Sequence, residues 1–85
     1  MTSSSVEALC RVMGRQVARR RRALGLSLAS VSADCGVTLQ QVHKYETGKS
    51  AIPAAMVVRL ADCLRVPAGY FFCELPAGSP GEAGR

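Results

Sequence analysis

The feature that most limits how this chain can fold is the spacing inside Leu26–Pro53, LSLASVSADCGVTLQQVHKYETGKSAIP. Two short apolar-periodic segments flank one glycine, Gly36, and each follows a hydroxyl residue suited to helix capping, Ser27 and Thr38. Two helices joined this tightly must cross closely. A small residue is then needed one turn into the first, and Ser32 supplies it. Four positions later the turn needs left-handed backbone, which Gly36 adopts at little cost. Val31, Val37 and Val42 supply the apolar contacts that lock the pair. The spacing therefore predicts a helix over Leu28–Cys35, a turn at Gly36, and a second helix from Leu39 to about Glu46 with Val42 and Tyr45 inward. Thr38 and Gln41 read as a T-x-x-Q capping box.

The rest of the chain reads as helices around this pair. A first helix is expected from about Val6 or Ala8 to Leu24, with Leu9, Val12, Met13, Val17 and Leu24 as its buried stripe. Gly14 is its weak point, costing up to ~1 kcal/mol against Ala, and a start only after Gly14 is the alternative. Gly25 ends it. TGKS (47–50) reads as a loop, and Pro53 as the entry to a helix over Ala54–Leu64 with Val57, Leu60, Ala61 and Leu64 inward. Pro67 opens a fifth short helix, Ala68 to about Cys73. The expected organisation is an all-α, compact five-helix bundle. A flexible segment occupies 1–7, a single domain 8–75, and a Pro/Gly-rich disordered tail 76–85.

Composition narrows the function. The net charge of +5 is uneven: residues 1–50 hold eight Lys/Arg and three Asp/Glu, whereas residues 51–85 hold three of each. A basic half attracts polyanions through counterion release and steering. Cys10, Cys35, Cys63 and Cys73 contain no CxxC pair, and there is one His, so no metal site and no cofactor are expected. Cys35 and Cys63 fall at apolar helix positions and read as small core residues. Reduced thiols point to the cytoplasm. No apolar run approaches the ~20 residues a spanning helix needs, and MTSSSVEALC lacks a signal-peptide pattern.

LSLASVSADCGVTLQQVHKYETGKS (26–50) and RLADCLRVPAGYFF (59–72) resemble the phage repressor and Cro-like helix-turn-helix proteins, also called the xenobiotic-response-element type. The resemblance covers roughly residues 12–75 and is most specific in GVTLQQVHKYETGK. It implies the lambda-repressor-like five-helix fold. It also implies binding to operator DNA, usually as a dimer, to regulate transcription. Such a protein would associate with the nucleoid when bound.

The residues fit that implication. The N-terminal part of the second helix of such a pair enters the major groove. Leu39, Gln40, Gln41, His43 and Lys44 are the candidate base contacts, and the resemblance puts Leu39, Gln40 and Lys44 on the family's base-contacting positions. A Gln pairs bidentately with adenine, a Lys with guanine, and Leu39 suits a thymine methyl. The plainer readings are a cap for Gln41, a phosphate contact for Lys44 and a surface position for His43. Ser27, Leu28, Thr38, Thr47, Lys49 and Ser50 are the candidate phosphate contacts, at helix N-termini and in the following loop. The family commonly has a phosphate-clamping Gln where this chain has Leu28, so only the backbone N–H remains there. By resemblance Arg21 pairs with Glu46, tying the first helix to the third. Arg19, Arg20 and Arg22 read as a solvated or phosphate-facing rim. Tyr70, Phe71, Phe72 and Leu75 are the expected interface of a homodimer, because consecutive aromatics at ~100° steps cannot all enter one core. The alternative is that Tyr70 and one Phe close the monomer core.

Two rival classes remain. A protein-interaction module or antitoxin-like adaptor could use the same fold. Against it, Lys44 and Lys49 are present and no acid lies between Leu39 and Tyr45. An enzyme is disfavoured by the lack of any catalytic constellation. A membrane role lacks a Trp/Phe anchoring face, and 85 residues leave no room for a sensor domain, so no small-molecule effector is expected.

Overall fold

The computed structural model describes residues 3–72, and all regular structure among them is helical. Four α-helices, α1 (Ser3–Ala23), α2 (Leu28–Cys35), α3 (Leu39–Glu46) and α4 (Ala54–Leu64), are followed by a 3₁₀ helix, Ala68–Phe72. The fifth element is thus a single tight 3₁₀ segment and not an α-helix. Leu75, Cys73 and the expected tail lie outside the described residues.

Short-range chemistry sets the bounds of α2 and α3. Ser27 Oγ accepts from the Ser30 N–H at 3.0 Å, and Thr38 Oγ1 from the Gln41 N–H at 3.1 Å. These bonds satisfy first-turn donors that have no acceptor within the helix. Of the expected capping box, only the Thr38 half forms among the described residues. Gly36 adopts φ 72°, and the N–H groups of Gly36 and Val37 both close onto Ser32 O, at 2.9 and 3.2 Å. That pair of bonds ends α2 and reverses the chain into α3. Arg59 reinforces the end by donating from Nη1 to Cys35 O at 3.0 Å.

The first helix departs from expectation. It begins at Ser3, ahead of Val6, and runs through Gly14 unbroken. The reason is tertiary: Gly14 is buried against the C-terminal end of α3. A β-carbon there would overlap the carbonyl oxygen of Tyr45 and lie 2.8 Å from that of Glu46. The propensity penalty of glycine is outweighed by a backbone-to-backbone approach that no other residue permits.

The core sits where α1, α2, α3, α4 and the 3₁₀ helix meet. Val17, Val31, Val42, Leu60, Leu64 and Phe71 are wholly inaccessible, with Met13, Cys35, Tyr45, Val57 and Ala61 around them. Leu9, Leu24, Leu26, Leu28 and Tyr70 pack on the margin. Arg20, expected on a rim, turns inward: its Nε donates to Leu64 O at 2.8 Å and caps the last turn of α4. Residue Arg65, which follows α4, holds the left-handed conformation at φ 62°, the one non-glycine among the described residues to do so.

Candidate nucleic-acid interface

α3 presents two different faces. Successive residues of a helix step by about 100°, which sets Val42 and Tyr45 on one side and Gln40, His43 and Lys44 on the other, with Leu39 and Glu46 near the boundary between them. Val42 and Tyr45 are buried; Leu39 (43% exposed), Gln40, His43 and Lys44 stand in solvent. Gln41 lies between the two faces and is half-buried. The outward set is polar or basic apart from Leu39, one of four large apolar side chains exposed among the described residues.

The single acid of α3 is removed from that outward face by an ion pair. Arg21 Nε lies 2.7 Å from Glu46 Oε2, and Nη2 donates to Oε1 at 3.1 Å, a bidentate fork. Arg21 Nη1 also donates to Leu26 O at 2.9 Å, so one guanidinium joins α1, the turn before α2, and α3. Both side chains are largely shielded, at 12% and 6% exposure. The hydrogen bond to Glu46 raises the Arg21 pKa above its ordinary value; burial opposes the rise and the Glu46 charge adds to it. With Glu46 paired to Arg21, Lys44 and Lys49 are the cations nearest the outward face of α3.

Around this face lie the N-terminal turns of α2 and α3. Ser27, Thr38 and Leu39 are exposed, while Leu28 is half-buried and packs its side chain on the core margin. The Ser27 and Thr38 hydroxyls each take one first-turn amide, of Ser30 and of Gln41. The earlier amides, of Leu28 and Ala29 and of Leu39 and Gln40, point out of the helix ends, as helix geometry requires. The loop after α3 differs. The N–H groups of Thr47, Gly48, Lys49 and Ser50 are all taken by carbonyls of His43, Tyr45 and Lys44, and the Thr47 hydroxyl donates to His43 O at 3.0 Å. The loop therefore offers an anion the Lys49 ammonium and the Ser50 hydroxyl rather than free backbone amides.

The aromatic set divides. Phe71 is fully buried and Tyr70 packs edge-on against it, ring centroids 5.7 Å apart. Phe71 belongs to the chain's own core and leaves the candidate interface; Phe72, 42% exposed, remains on the surface, and Tyr70 is half-buried. Val58 on α4, 55% exposed, is an apolar surface residue that sequence reasoning passed over. Its outward position follows from Val57 being inward, because neighbours in a helix point about 100° apart.

Cys10, Cys35 and Cys63 are free thiols. The Cys63 Sγ donates to Asp34 Oδ2 at 3.3 Å, and burial, then that bond, push its pKa up to about 12. A thiol held protonated in this way is a poor nucleophile. Among the described residues no group of three or more His, Cys, Asp or Glu is placed to hold a metal ion, and no helix is long and apolar enough to cross a membrane.

Comparison with known proteins meets the same region. A family described as a helix-turn-helix domain matches residues 12–69. An uncharacterized transcriptional regulator in the ATPase CF(0) region of Rhodospirillum rubrum is 39% identical over 72 residues, 85% of this chain and 67% of that protein. An uncharacterized HTH-type transcriptional regulator of Sinorhizobium fredii is 36% identical over 84% of this chain and 54% of its own length. One of Sinorhizobium medicae is 32% identical over 81% of this chain and 50% of its own length. The chain thus spans between half and two thirds of these relatives.

Proposed function

Because this chain belongs to the helix-turn-helix domain family, we propose that it is a sequence-specific DNA-binding regulator of transcription, with α3 docked in the major groove. The observation that carries this reading is the outward face of α3: Leu39, Gln40, His43 and Lys44 stand free of the protein, while Glu46 is folded away onto Arg21. In the docked state Gln40 pairs with an adenine edge, Lys44 with guanine, and Leu39 lies on a thymine methyl; each good polar pair contributes ~1–3 kcal/mol of discrimination. Gln41 and His43 flank them. Phosphates are held by the first-turn amides of α2 and α3 near Ser27, Leu28 and Thr38, and by Lys49 and Ser50.

A homodimer on a palindromic operator fits the same reading. The exposed Phe72 and Val58 and the half-buried Tyr70 are the apolar residues we assign to contact with a second copy. Two-fold pairing sets half-sites about one DNA turn apart, roughly 34–36 Å. The protein would act in the cytoplasm, on the nucleoid. Relatives named as transcriptional regulators support the regulatory role.

Selection of bound sites from random duplexes, followed by mobility shifts of the selected site, tests the proposal. A recovered palindrome whose recognition relaxes at one base pair in Gln40→Ala supports it. Failure to retard any duplex at low salt rejects it.

A further inference from the structure

The exposed side of α1 carries a feature outside the helix-turn-helix pair. Arg11, Arg15 and Arg22 are exposed, and on a helix of ~100° per residue they fall within roughly 40° of one another. They form one ridge, adjacent to Gly14 and Arg21, which meet α3. None of the three has an acidic partner among the described residues; Glu7, one turn before Arg11, is exposed and makes no ion pair with it.

The N-terminal end of this ridge abuts the loop after α3. Gly48 adopts φ 79°, and a β-carbon there would lie 2.9 Å from Arg11 Cα, 3.1 Å from Arg11 N and 2.8 Å from Arg11 Cγ. The backbone of α1 at Arg11 is thus seated directly on the segment that carries Lys49 and Ser50. Arg11 is exposed beside this loop, and Arg15, also exposed, follows about 6 Å further along the axis. The loop's own amides are spent internally, so cationic side chains are the means by which this edge can hold a phosphate.

We infer that Arg11 and Arg15 contact the DNA backbone, extending the footprint beyond the helix-turn-helix pair at the α3–α4 loop. This rests on the DNA-binding reading above and adds a second, separable set of contacts. The contacts are sequence-independent, because a guanidinium on a phosphate carries no base information.

The test is the salt dependence of binding by the full chain, measured on a duplex that the unaltered protein retains. Each phosphate contact contributes about 0.9 to the slope of log K against log salt. Arg11→Ala/Arg15→Ala should lower that slope by up to ~1.8 while leaving base preferences unchanged. Arg11→Lys/Arg15→Lys should restore it. Arg22→Ala, on the same ridge but about 16 Å along the axis from Arg11, should change the slope little. Circular dichroism checks that the variants keep the helical fold. An unchanged slope in the double Ala variant overturns the inference, and so does an equal loss in Arg22→Ala, which would mark a diffuse charge effect. If the unaltered chain binds no duplex at all, the DNA-binding reading itself fails, an outcome distinct from either.

Discussion

The two faces of α3 are built under opposite constraints. The inward face, Val42, Tyr45 and Glu46, is held by the core, by backbone contact with Gly14 and by the Arg21 fork. The outward face, Leu39, Gln40, His43 and Lys44, is exposed. A helix of eight residues is too short to persist alone in water, so the inward side supplies its stability and orientation. The outward side is then free to be chosen for recognition. Changes inward should cost folding energy, and changes outward should alter binding at constant stability.

The sharpest way to break this division is at Gly14. Gly14→Val forces atoms into the Tyr45 and Glu46 carbonyls, and should destabilise the fold by about 3 kcal/mol or more. In denaturant titration the midpoint would collapse; a midpoint within experimental error of the parent would refute the close approach. Next is Glu46→Gln, which leaves a shielded guanidinium without its charge partner. The loss should be about 2–3 kcal/mol, below the figure for a fully buried pair because both groups keep some exposure. At 4–8 °C per kcal/mol, calorimetry should show a fall in Tm of roughly 10 °C or more.

Outward changes should behave differently. Lys44→Ala should shift stability by no more than about 0.5 kcal/mol, yet weaken binding to a selected duplex by ~1–3 kcal/mol if it reads a base edge. A matching loss of thermal stability would show that the two faces are not independent.

The smallest effect lies away from α3, at Cys63. Its folded-state pKa is raised above the unfolded value, so the unfolded chain releases its thiol proton first as pH rises. The contribution to stability is complete below about pH 9 and is lost towards about pH 12. Thermal melts at pH 8 and pH 10 should therefore diverge less in Cys63→Ala than in the parent. Parallel behaviour of the two proteins would contradict the shift.

The bounds of α2 and α3 were legible because capping is local chemistry: Ser27, Thr38 and Gly36 bond to groups three or four residues away, and Pro53 marks the entry to α4 without a side-chain cap. The start of α1 at Ser3 was not, and the sequence left a start after Gly14 open because what accommodates that glycine is the end of α3, some thirty residues on in the chain. The last element was expected as a short fifth helix from Ala68, and its residues Ala68–Phe72 form a 3₁₀ helix. Consecutive like residues were ambiguous for the same geometric reason in two places. In Phe71–Phe72 only one ring could enter the core, and in the arginine run only the packing decides that Arg20 and Arg21 turn inward while Arg22 does not. At the candidate site, the 3.6-residue period sufficed to divide α3 into its two faces. That the loop amides after it are consumed by Lys44, Tyr45 and His43 had no local signature in TGKS.

Gly14 carries one more implication. With no side chain interposed, α1 and the end of α3 meet peptide to peptide, and a peptide has far fewer ways to rearrange than a pair of rotamers. The angle at which α3 projects is therefore inherited from the longest helix rather than negotiated by α3 itself. If α3 reads DNA as proposed, new side chains at positions 39, 40, 43 and 44 change the target while the seating stays the same.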